Sequence, residues 1–122
     1  MTKEFIKQLL VEINKYYTCY YEEAPVDAIF PYLVVPTIHI IPLNAGYSCI
    51  FDIEINNNEL GKTSTEEIID NLNNNLNGFN FMNEKIGFHL GLSDINILKS
   101  SDQDLIYRRI SFEARLFKRI GG

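Results

Sequence analysis

Two kinds of periodicity divide the chain. Near the N-terminus, Phe5, Ile6, Leu9, Leu10 and Ile13 form an apolar stripe, while Lys3, Lys7, Glu12 and Lys15 fall on the other side. That spacing predicts an amphipathic helix from about Lys3 to about Tyr16, with Thr2 as its N-cap. A second stripe, Ile68, Ile69, Leu72 and Leu76, follows Ser64 and Glu67. S-x-x-E ahead of an apolar run is a capping box, so a helix is predicted over 64–77, with Gly78 as its stop. Asn71, Asn73, Asn74, Asn75 and Asn77 crowd its second half. Asparagine is a poor helix former, which predicts fraying there.

The rest of the pattern has period two. Tyr16–Tyr21 is aromatic and β-branched, and it ends at Glu22-Glu23-Ala24-Pro25, because a residue before proline avoids the helical region. Phe30–Ile41 is strongly β in composition but contains Pro36. Proline has no N–H for a ladder, so this strand is predicted to bulge or to lie at an edge near Pro36. Pro42–Gly46 reads as a turn. Tyr47, Cys49, Phe51, Ile53 and Ile55 then point one way, and Ser48, Asp52 and Glu54 the other, with Ile50 the exception. That is a half-buried antiparallel strand. Asn56–Lys62 is a polar loop, and Phe79 and Phe81 fall in another. Lys85–Leu92 reads as a strand, with Asp94–Leu98 a short strand or its continuation, and 100–104 as a turn. Leu105–Phe117 is the longest strand, and Arg108 interrupts its apolar face.

The order of elements predicts a single α+β domain over 1–122, with a twisted, mostly antiparallel sheet of four or more strands and two helices packed on one face. The expected core is Ile6, Leu9, Leu10, Ile13, Phe51, Ile53, Ile68, Leu72, Ile110 and Phe112.

Composition adds limits. The chain has 122 residues, 46% hydrophobic and 22% charged, which is enough for one ordinary core and normal for a folded domain. Met1–Leu10 lacks the continuous apolar run of a secretory signal, so synthesis in the cytoplasm is expected. Two cysteines, Cys19 and Cys49, are too few for a disulfide scaffold. The net charge of −5 argues against general nucleic-acid binding. Its distribution is uneven: residues 1–104 carry −9 and residues 105–122 carry +4. Such a dipolar subunit suits head-to-tail contact between copies, although a solvated last strand would show the same residues.

Little catalytic chemistry is visible. His39 and His89 sit inside strand patterns without the close spacing of a metal site. Glu66 and Glu67 open a helix, where the macrodipole favours negative charge. No phosphate-binding glycine motif occurs. Arg108-Arg109 and Lys118-Arg119 lie beside aromatics, which leaves a small RNA- or ligand-binding α+β domain as a distant alternative. No catalytic residue, cofactor or metal is expected.

Ala24-Pro25 followed by Phe30-Pro31-Tyr32-Leu33-Val34-Val35 resembles the corresponding segment of tailed-phage tail terminator, or tail completion, proteins. Phe51-Asp52-Ile53-Glu54-Ile55, the helix at 64–77 and the strand at Arg108–Arg115 follow the same order. Pro36 departs from the pattern and leaves the pairing of its strand open. The resemblance implies a non-enzymatic subunit of a hexameric ring that caps the tail tube and joins it to the head. Its partners would be copies of itself, the tail tube protein and a head–tail connector, with no membrane and no specific nucleic acid. It would act in the host cytoplasm during assembly, then in the virion tail or a phage-tail-like particle. A head-closure or neck protein is the near alternative. Taken with the charge asymmetry, the expected subunit contacts are the basic Arg108, Arg109 and Arg115, an acidic surface including Asp52 and Glu54, and the apolar Phe30 and Tyr32.

Overall fold

The computed structural model describes residues 2–58, 64–98 and 105–118, and in them both stripes become helices: α1 over Thr2–Asn14 and α2 over Thr65–Leu76. The capping box forms as predicted: the Glu67 N–H donates to Ser64 Oγ at 3.1 Å. Helix α2 runs regularly to Leu76 despite its asparagines, where fraying was expected. Two of those side chains donate hydrogen bonds: Asn75 to the Asn71 carbonyl and Asn71 to the Tyr17 hydroxyl. The chain then turns at Gly78, with φ +87°, and its N–H donates to the Leu90 carbonyl. Thr2 is the first residue of α1 rather than its cap.

The strands are β1 (Cys19–Tyr21), β2 (Tyr32–Val35), β3 (Ile38–Pro42), β4 (Tyr47–Asn58), β5 (Asn80–Met82), β6 (Ile86–Leu98) and β7 (Leu105–Lys118). They form one curled sheet in the order β1-β2-β4-β7-β6-β5, with β3 also paired to β4. All pairs are antiparallel except β1 with β2, which run parallel. Pro36 explains the division between β2 and β3. Val34 faces Glu54 while Ile38 faces Phe51, so one extra residue lies on the proline side of the ladder. That is the bulge the missing N–H predicts. A second extra residue, Ser93, bulges β6 between Leu92 and Asp94, so the two candidate segments there are one strand. Asn56–Asn58, expected in a loop, continue β4, and the rest of that loop and the turn at 100–104 lie outside the described residues.

One core cluster joins the pieces. It takes Phe5, Leu9 and Ile13 from α1, Ile68, Ile69, Leu72 and Leu76 from α2, and the alternate residues of the central strands. Phe5 sets its ring edge-on to Phe88 at 5.0 Å and to Phe51 at 6.2 Å, and Phe51 stacks on Phe112. Each such fully buried aromatic is worth about 1.5–3 kcal/mol of burial. Ile6 and Leu10, expected in the core, are only half-buried. The helix presents Phe5, Leu9, Glu12 and Ile13 inward, so its buried line is rotated from the centre of the stripe. Glu12 is tolerated there because Lys15 Nζ lies 2.8 Å from its carboxylate.

Candidate assembly surface

Strand geometry places alternate residues on opposite faces of the sheet. Cys49, Phe51, Ile53 and Ile55 of β4 are buried in the core. Ser48, Ile50, Asp52 and Glu54 therefore lie on the other face, called outer here. On β7 the outer residues are Tyr107, Arg109, Ser111, Glu113, Arg115 and Phe117, because Ile110, Phe112, Ala114 and Leu116 are buried.

The register brings several of the sequence-predicted residues together. Asp52 stands opposite Ser111, and Glu54 opposite Arg109. The Ser111 hydroxyl donates to Asp52 Oδ1 at 2.5 Å, and Arg109 Nη1 lies 3.8 Å from Asp52 Oδ2. The attraction expected between copies at Asp52 and Arg109 is thus made within one chain, across neighbouring strands. Glu54 forms no ion pair among the described residues. Partial burial pushes its carboxyl above the ordinary range, Asp52 adds to this, and Arg109 opposes it.

Arg108 is separated from Arg109 by the same alternation. It faces Ile55, on the core side, and its guanidinium reaches to 3.8 Å from Glu66 in the first turn of α2. The interruption of the apolar face is a side chain lying along the sheet toward the helix N-terminus, with only 21% of it exposed. Arg115 bonds its own neighbour on that face: Arg115 Nε donates to Glu113 Oε1 at 3.0 Å, which also accepts from Ser48 Oγ.

Phe30 and Tyr32, expected as the apolar part of a subunit contact, lie side by side within the chain. Their rings are 5.4 Å apart, and Tyr20 sets its ring against Tyr32 at 6.0 Å. This cluster stands at the β1–β2 end of the outer face and anchors the loop between those strands. Sequence reasoning missed what that loop carries: Val26 is fully exposed and Ile29 is 83% exposed. The signal was present, since two apolar residues sit among Glu22, Glu23 and Asp27 between two prolines.

The remaining candidate chemistry stays apart. Cys19 and Cys49 are both free and buried. Cys19 lies level with Leu33 and so with Ile55, six residues along β4 from Cys49, or about 20 Å of strand. Burial pushes both thiols up to about 12, so neither is a ready thiolate. His89 shares a hydrogen bond with Asn80 at 2.7 Å. Among the described residues, no group of three His, Cys, Asp or Glu side chains is arranged to hold a metal, and no helix is long and apolar enough to cross a membrane. No protein-family model, curated protein or solved structure matches the chain.

Proposed function

We propose that this chain is a structural subunit of a phage tail, or of a phage-tail-like particle, and that it closes the end of the tail tube as a terminator ring of six copies. In this reading both helices cover the same face of the sheet, and the opposite face is left for neighbouring subunits. The tail tube protein meets one side of the ring and the head–tail connector the other. The work is assembly, with no reaction and no cofactor, first in the host cytoplasm and then in the particle.

One observation carries the reading furthest. The segment that bears the family resemblance, Phe30–Val35, folds into β2 and into the aromatic footing of an exposed apolar loop at the sheet edge. A segment used in this way presents a contact surface, whereas a catalytic segment would present convergent polar groups. The test is direct. Tail tubes polymerised from the tube protein encoded with this chain are mixed with the purified protein and imaged by negative-stain electron microscopy. A ring-shaped cap at one tube end is expected. Bare tube ends at saturating protein, with no ring at any concentration, reject the terminator reading.

A further inference from the structure

Helix α1 carries more apolar surface than its core contact uses. Phe5, Leu9, Glu12 and Ile13 face inward. By helical period, Lys3, Lys7, Val11 and Asn14 line the opposite side, and all four are exposed. Val11 is 52% exposed, and Ile6 flanks the line half-buried. The two acids of the helix are engaged elsewhere. Glu4 accepts from Gln8 and from Asn83, each at 3.0 Å, and Glu12 takes Lys15. Lys3 and Lys7 form no ion pair among the described residues. The solvent side of α1 is therefore basic, with apolar side chains beside the lysines.

The 22–31 loop has the reverse character. Val26 and Ile29 stand out among Glu22, Glu23 and Asp27, and the loop has no basic residue. All three acids are exposed, and none forms an ion pair among the described residues. The loop does not meet the lysines of its own chain. It follows β1, at one end of the strand order. The first turn of α1 is held at the other end, where Glu4 contacts Asn83 and Lys85 in the turn between β5 and β6. Opposite charge and exposed apolar side chains on two separate parts of one molecule fit a heterologous contact, which joins copies head to tail and closes into a ring when the rotation allows.

We infer that the 22–31 loop of one copy packs Val26 and Ile29 against the solvent side of α1 on the next copy, over Val11, Ile6 and the lysine stems. Glu22, Glu23 and Asp27 then face Lys3 and Lys7, whose stems cover apolar surface while the ammonium groups meet the carboxylates. This inference rests on the ring reading and adds a contact at α1 to its outer-face contacts. It also revises which charges join copies: Arg108, Arg109 and Arg115 have partners in their own chain, whereas Lys3 and Lys7 do not.

The experiment exchanges the charges in two full-length variants: Glu23→Lys with Asp27→Lys, and Lys3→Glu with Lys7→Glu. A third variant, Val26→Asp with Ile29→Asp, removes the apolar tip. Circular dichroism melts first establish that all three fold, as changes at exposed positions should allow. Sedimentation equilibrium then compares the wild type, each variant alone and an equimolar mixture of the two charge variants. The same samples are scored for capped ends on tail tubes, which covers rings that form only on the tube. The wild type is expected to assemble, and each variant alone to lose assembly at the concentrations where the wild type shows it. The mixture is expected to regain assembly, because each basic loop then meets an acidic helix and each acidic loop a basic one. Assembly of any single variant as readily as the wild type overturns this contact but leaves the ring reading standing. A mixture that stays monomeric and leaves tubes bare overturns the contact as well. A wild type that remains monomeric both alone and on tail tubes removes the ring reading itself, and this contact with it.

Discussion

The two faces of the sheet are built from the same strands, yet different physics governs them. On the core side, Phe5, Phe51, Phe88 and Phe112 are fully or almost fully buried and contact one another edge-on or stacked. Every change of volume there is felt, because interiors are close-packed. On the outer side, one residue away along each strand, Ile50 and Phe117 are exposed, and Asp52, Arg109 and Ser111 bond across strands. The core side accounts for folding. The outer side carries exposed apolar groups that the fold does not use, and the proposed function assigns them to contact between subunits. Stability and assembly should therefore be separable by substitution.

The largest effect should come from the core side. Phe88 meets the rings of Phe5, Phe79 and Phe81. Phe88→Ala is expected to cost about 3–5 kcal/mol in urea unfolding, against less than about 1 kcal/mol for Phe117→Ala on the outer side. Equal costs would erase the distinction between the faces. Next is Gly46, with φ +87°, where an added Cβ would lie 2.5 Å from the Leu116 carbonyl oxygen. Gly46→Ala should lose about 1–3 kcal/mol by the same assay, since both backbone conformation and space are wrong for it. Ser64→Ala removes the cap of α2 and should lower stability by about 1 kcal/mol.

The smallest effect belongs to Glu54. Its folded carboxyl holds a proton to higher pH than the ordinary value of 4.5, chiefly because burial disfavours its charge. The folded state therefore binds more protons than the unfolded state as pH rises through that range, and stability falls with rising pH. Glu54→Gln removes this penalty. The variant should melt about 1–2 °C above the wild type at pH 7 and level with it at pH 4. A gain that is larger at pH 4 would contradict the assigned direction.

The core side was largely legible in the sequence, because burial imposes period on a chain. The stripe of α2, the capping box and the alternation of β4 and β7 each state their inward residues. The bulge at Pro36 was legible for a different reason: a missing N–H has a definite structural consequence. Three features were not. Asn80–Met82 forms only a three-residue strand, too short to show alternation, so β5 was read as a loop. The parallel pairing of β1 with β2 depends on the path of the 22–31 loop, which no periodicity reports. The pairing of Asp52 with Arg109 within one chain depends on which strands are neighbours. The sequence supplied the charges but not the register that brings them together.

The central claim is that the outer face and its loop assemble copies into a ring on the tail tube, independently of the core that folds the chain. Electron microscopy of tail tubes incubated with the wild type and with the folded Val26→Asp, Ile29→Asp variant tests it most directly. Caps on tubes with the wild type and bare ends with the variant are predicted. Bare ends with both proteins, or equal capping by both, would contradict the claim.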